Sequence, residues 1–247
     1  MSALQRYPFP GFVLTGRPQF EFYRRAHSGL LDYRYGEEMA LAGSDEIVLT
    51  GICPFTLKPT RYRSATTGGE KLQDGRIMPE WRFQQISEDN LPFGDRAVAH
   101  LAMIESGANF KDAMFCSASD ALSRILPPMT GPVTRMALDA LPDDAGRFST
   151  ILIVGQLEQQ ADIRVTLKAL ARLLKPGGKI YFHVNFHYFE DATEMHQGTR
   201  GVYWALGWDF LQLLSDAGFA NAQAITFWAK ELGYLGAFNF LFEAAKA

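Results

Sequence analysis

His183, Asn185 and His187 follow one another at intervals of two in "HVNFHYFED", directly after the apolar run "KIYF". In an extended chain that spacing puts the three side chains on one side, where they can line one wall of a pocket. Tyr188 stands next to them. Histidine titrates near neutral pH, so His187 is the candidate general base for an accepting nucleophile. His183, Asn185 and Tyr188 are the candidate substrate-binding groups. His196, in "TEMHQGTRG", reads as a loop residue. No pair of histidines has tight spacing with an acidic ligand, so no metal centre is expected.

Polar groups at a strand's end matter because ligands of open α/β sheets bind beyond the carboxyl ends of the strands. The elements that must position them can be read from about Asp95 onward. "DRAVAHLAMIESG" has helical spacing and a glycine stop. "DAMFCSA" is a short buried strand, and "SDALSRIL" is a helix start with Ser119 or Asp120 as N-cap. "FSTILIVGQL" is a strand broken by Gly155 and Gln156, and "DIRVTLKALARLLK" is an amphipathic helix. "KPGGK" then ends that helix: Pro176 cannot continue it, and Gly177 or Gly178 can take the left-handed conformation that closes it. After the strand "KIYFHVNF" comes the helix "GWDFLQLLSDAGF". Two last strands, "AQAITFWAK" and "FNFLFEAAK", flank the loop "ELGYLGA" and are expected to pair as a hairpin, with Tyr234 and Trp228 packed at its tip. This alternation predicts an α/β fold, a Rossmann-like mostly parallel sheet with helices on both faces and a C-terminal antiparallel hairpin.

Residues 1–85 read as an irregular N-terminal extension, and residues 86–247 as the α/β domain. The extension is rich in proline and aromatics, with one short β-like run, Glu46 to Cys53. "SATTGGEKLQDGR" reads as a polar loop. Lys58, Arg61 and Arg63 make a small basic cluster that can meet an anionic group, although a solvated loop explains it as well. The extension is expected to serve substrate choice or a partner.

The formal net charge of −3 gives no reason to expect nucleic acid or an anionic membrane as partner. No apolar stretch is long enough to span a bilayer, and the start lacks the apolar core of a secretory signal. Cys53 and Cys116 are too few for a disulfide framework or a four-cysteine zinc site. A cytoplasmic protein with reduced thiols and a small-molecule substrate is expected; self-association is left open.

"RFSTILIVGQLEQQADIRVTLKALARLLKPGGKIYFHVNF" resembles the fourth strand, following helix and fifth strand of class I S-adenosylmethionine-dependent methyltransferases. "GWDFLQLLSDAGFANAQAITFWAKELGYLGAFNFLFEAAK" resembles the end of one bacterial branch of that family. The resemblance covers roughly residues 90–247. It implies a seven-stranded sheet whose last strand is antiparallel, S-adenosylmethionine as cofactor, and methyl transfer to a small-molecule or sugar-like acceptor. The alternatives it leaves are a methyltransferase-like scaffold that has lost the cofactor and acts as a partner subunit, and an enzyme of the same fold turned to other chemistry.

The chain departs from the family at the cofactor site. The family's glycine-rich turn after the first strand corresponds to "MFCSASDALSRIL", which has no glycine. Ser117, Ala118 and Ser119 are small enough for close approach and are the candidate cofactor contacts there. "VTRMALDAL" is either the third strand, with Asp139 near the adenine amino group, or the second, with Asp139 on the ribose. At the turn after the fourth strand the family carries an acidic residue and then Glu-His; this chain has "GQLEQQ". Gly155 and Gln156 are the candidate contacts there, and glutamine cannot act as a base. The related branch also carries a cysteine-rich segment ahead of the domain, of which "GICPFTLKPTRYR" keeps only Cys53.

Overall fold

The computed structural model describes residues 11–26, 46–71, 77–85, 91–106, 112–117, 119–120, 123, 133–198, 201–227, 229–234 and 239–247. Ala118, Trp228 and most of the helix expected over "SDALSRIL" lie outside them. The chain divides into two compact units: residues 1–13, 18–93 and 226–239 in one, and residues 14–17, 94–225 and 240–247 in the other.

The first elements are β1 (Gly11–Leu14) and α1 (Arg17–Ala26). A three-stranded antiparallel sheet follows, β2 (Glu46–Ile52), β3 (Pro59–Lys71) and β4 (Ile77–Gln85), in that order. Along β3 the side chains alternate: Thr60 and Tyr62 are buried, while Arg61 and Arg63 are exposed. The Tyr62 hydroxyl donates to the Ile52 carbonyl at 2.7 Å. The chain between the last two strands joins this unit. Tyr234 is buried there, edge-on to Phe93 at 5.9 Å and to Phe227 at 5.1 Å. At Gly233 the backbone has φ +68, and any side chain would run into the Tyr62 ring, so the position requires glycine.

"SATTGGEKLQDGR", expected as a loop, is strand as far as Lys71. Its pairing with β4 shifts register between Thr66 and Gly69, an irregularity of the bulge kind. Backbone hydrogen bonds hold such a strand, so its side chains leave no apolar pattern to read.

A seven-stranded sheet runs in the order β1-β11-β12-β8-β7-β5-β6. Its members from the second half of the chain are β5 (Ala113–Ser117), β6 (Val133–Arg135), β7 (Phe148–Val154), β8 (Leu174–His183), β11 (Phe219–Phe227) and β12 (Phe240–Lys246). Strands β6, β5, β7 and β8 are mutually parallel, and β12 is antiparallel to β8. Every side chain of β5 is buried, although successive residues face opposite ways, so both faces of the sheet are covered. The sheet is the Rossmann-like, mostly parallel one expected, and β11 and β12 are neighbours in it. Seven strands are present, but one of them, β1, comes from near the N-terminus.

β6 pairs directly with β5, so the segment takes the second strand's place rather than the third's. Among the described residues no strand lies outside it. The ribbon β9 (Glu194–Gly198) and β10 (Gly201–Ala205) pairs antiparallel as a separate two-stranded sheet; His196, expected in a loop, belongs to β9.

Helix α2 (Phe93–Ser106) precedes β5, α3 (Ile163–Leu173) precedes β8 and α4 (Phe210–Asp216) precedes β11. The Asp162 carboxylate caps α3, accepting from the Arg164 amide at 2.8 Å and the Val165 amide at 3.1 Å. The end of α3 differs from the sequence reading. The helix stops at Leu173, ahead of the proline, and Leu174 already pairs with Phe148 of β7. Its last carbonyls accept from the backbone amides of another loop, Gly146 to Arg172 at 3.0 Å and Arg147 to Leu173 at 2.8 Å. Pro176 and the left-handed Gly177 (φ +70) form an irregularity within β8 instead of a helix cap. Phe210 of α4 packs edge-on against Phe182 of β8 and Phe242 of β12, at 5.6 and 5.0 Å.

Candidate functional site

After β6 the chain crosses back past β5 to form β7 on its other side, so the strand order reverses at the β5/β7 pair. Such a reversal leaves a crevice at the carboxyl ends, because the connections leave the two strands in opposite directions. Ser117 ends β5, Arg135 ends β6, Val154 ends β7, and Gly155 and Gln156 follow. Asp139 lies four residues past β6, exposed, in the short turn Leu138–Ala140. Four of the expected cofactor residues, Ser117, Asp139, Gly155 and Gln156, therefore gather at one edge of the sheet. Ser119 lies two residues past β5.

Gly155 adopts φ +61, and a side chain there would meet nothing within 4 Å among the described residues. The space above the β7 end is open in that direction. Its amide donates to the His183 carbonyl at 2.9 Å, which ties the β7 and β8 ends together. The Cys116 thiol donates to the Gln156 side-chain carbonyl at 2.7 Å. Burial pushes that thiol up to about 11, with Asp139 adding to the effect and the Leu138 backbone and Arg135 opposing it.

The hydroxyl of Ser117 is engaged twice. It accepts from the Ser119 amide at 3.0 Å and hydrogen-bonds the Asp95 carboxylate. Asp95 stands in the first turn of α2, only 2% exposed. Burial raises its carboxyl to about 6, against the Ser117 bond, its own backbone amide and the charge of Arg135. Among the described residues its Oδ1 has no hydrogen-bond partner. The exposed Arg135 reaches the Ser117 carbonyl through Nη2 at 3.4 Å.

A second group lies at the β8 end. His183 is half-buried, and Asn185 and His187 are exposed, while the intervening Val184 and Phe186 are buried. The three polar side chains thus share the outward side, although β8 itself ends at His183. The His187 amide donates to the Leu206 carbonyl at 2.8 Å. The Tyr188 ring stacks on Phe240 at 5.7 Å. The Asn185 side chain donates to the Tyr203 hydroxyl of β10, and its backbone amide donates to Glu158 Oε1. Glu158, 4% exposed, is raised by burial, with the Asn185 and Glu158 amides opposing; among the described residues its Oε2 has no hydrogen-bond partner. The glycine of α2 closes on this end: a side chain at Gly94 would lie 2.5 Å from His183 Nδ1 and 2.9 Å from Val154 Cγ1.

Asp95, Arg135, Glu158 and Tyr203 were not among the residues expected from sequence. The signal available was a charged residue set within or at the end of an apolar run, as in "DRAVAHL" and "VTR". That signal marks an exposed face as readily as a site. Among the described residues no cluster of His, Cys, Asp and Glu gathers as metal ligands would, and no helix is long and apolar enough to cross a membrane.

No family model matches the chain, and no curated protein matches it. Solved structures do. It is similar to the Burkholderia thailandensis 1,6-didemethyltoxoflavin N1-methyltransferase, solved with 1,6-didemethyltoxoflavin and S-adenosylhomocysteine, at 13% identity over 63% of this chain and 79% of that one, TM-score 0.45. It is similar to an S-adenosylmethionine-dependent methyltransferase of Mesorhizobium loti at 15% identity over 62% and 100%, TM-score 0.41. A third, an S-adenosylmethionine-dependent methyltransferase of Thermotoga maritima, matches at 13% identity over 56% and 83%, TM-score 0.38.

Proposed function

We propose that this chain binds S-adenosylmethionine across the β5/β7 ends and transfers its methyl group to a small-molecule or sugar-like acceptor. The observation that carries the reading is the strand reversal at β5, with the open left-handed Gly155 beside it. A ligand can approach the backbone there without displacing a side chain, which is what a glycine-rich turn provides elsewhere. Ser117, Ala118 and Ser119 would line the amino-acid end, Gly155 and Gln156 the middle, and Asp139 the nucleoside. The donor set suits such a ligand: hydroxyls, backbone amides and carboxylates, with both signs of charge within reach.

The cofactor, when bound, supplies an electrophilic methyl group on a sulfonium. The protein's part is alignment and exclusion of water. His183, Asn185 and Tyr188 would orient the acceptor, and an imidazole nitrogen of His187 would take its proton. A cytoplasmic setting with reduced Cys53 and Cys116 suits this chemistry, and residues 1–85 would serve substrate choice or meet a partner.

Thermal melting of the full chain with S-adenosylmethionine or S-adenosylhomocysteine tests the reading. A ligand at a hundredfold excess over its dissociation constant stabilises the native state by about 2.7 kcal/mol. No rise in Tm at millimolar ligand would leave a scaffold without a cofactor.

A further inference from the structure

We propose that Asp95 and Arg135 form a receptor for a zwitterionic α-amino-acid group, the ammonium going to Asp95 and the carboxylate to Arg135. This rests on the transferase reading and deepens it. The pair would do for the amino-acid end of the cofactor what the absent glycine turn cannot.

Asp95 is almost wholly buried, yet among the described residues Oδ1 has no hydrogen-bond partner. A buried carboxylate oxygen left unpaired is destabilising, and a cationic donor is the group that best relieves it. The Ser117 hydroxyl already serves the carboxylate, and the Ser119 amide is already bonded to Ser117 Oγ. Among the described groups the cation that acts on Asp95 is Arg135, whose Nη2 is 3.4 Å from the Ser117 carbonyl. That contact is long, and the guanidinium is exposed, so most of its donors remain available to a carboxylate. One anion and one cation thus flank the last residue of β5, the charge pattern that a zwitterion requires. Neither a neutral nucleoside nor a simple anion needs both.

Calorimetric titration of the full chain separates the two ends of the ligand. S-adenosylhomocysteine carries the amino-acid group; 5′-methylthioadenosine has the same thioether nucleoside without it. The wild type should bind both, S-adenosylhomocysteine more tightly. Arg135→Gln, a change at an exposed position, should weaken S-adenosylhomocysteine at least tenfold and leave 5′-methylthioadenosine within twofold. Asp95→Asn should do the same, and the Arg135→Gln result stands alone if the Asp95 variant does not fold. Equal loss of both ligands in Arg135→Gln, or loss of neither, overturns the proposal while the transferase reading survives. A wild type that binds neither compound overturns both.

Discussion

Asp95 is held in the fold against its own ionisation. Its carboxyl rises from 3.8 to about 6, chiefly through burial, which corresponds to about 3 kcal/mol between the protonated and ionised forms. A raised acid contributes stability that is fully present below the unfolded value of 3.8 and is lost as pH rises through 6. Asp95→Asn removes that ionisation. Urea denaturation should therefore show the variant gaining on the wild type between pH 4 and pH 8, by on the order of 1–3 kcal/mol. A difference that stays flat across this range would mean that the carboxyl titrates normally. His100 works the other way. Burial first, and Arg96 second, lower it from 6.5 to about 4, so its share of stability is present above 6.5 and is lost as pH falls through 4. The pH comparison must therefore be made against the wild type, in which His100 titrates identically.

At the scale of elements, two junctions decide how well the strand ends are held. Helix α2 meets the ends of β7 and β8 at Gly94, where a side chain would come within 2.5 Å of the His183 ring and 2.9 Å of the branched Val154. Gly94→Ala should cost about 1–3 kcal/mol by overpacking and should also press on Val154 beside Gly155, measured as a lower Tm together with weaker S-adenosylhomocysteine binding. A variant with wild-type Tm and binding would show that the junction yields freely. The start of α3 depends on one side chain. Asp162 serves two of its amides, and Asp162→Ala should cost ~1 kcal/mol by denaturation while leaving ligand affinity unchanged. A loss of affinity there would couple the helix to the crevice more tightly than its position suggests.

For the whole molecule, the organisation is two units whose sequence segments interleave. Residues 226–239, between β11 and β12, pack with the three-stranded sheet, so the last two strands are joined by an excursion and not by a tight turn. Gly233 and Tyr62 record this: the glycine has no side chain because the ring occupies its place. Ligand stabilisation is the measurement that belongs to this scale. The free energy of binding adds to the folding equilibrium of the native state, and the Tm should climb with the logarithm of S-adenosylhomocysteine concentration once the ligand exceeds its dissociation constant. A Tm that jumps and then stays constant would point to a change of assembly in place of simple site binding.

Local pattern carried a large part of this architecture. The stripe of Ile163, Leu167, Leu170 and Ala171 specifies α3, and the unbroken apolar residues of β5 and β7 specify strands covered on both faces, because periodicity acts between neighbours in the chain. The carboxyl-end positions of Ser117, Gly155 and His183 followed from those elements. Three things needed the third dimension. The sequence left open whether "VTRMALDAL" was a second or third strand, and pairing with β5 decided it. "SATTGGEK" became a strand through backbone pairing with β2 and β4, which leaves no mark on side-chain polarity. Asp95 and Glu158 became buried, half-satisfied acids only when distant segments closed over them. Burial depends on distant parts of the chain, and so does the chemistry of any group whose ionisation it controls.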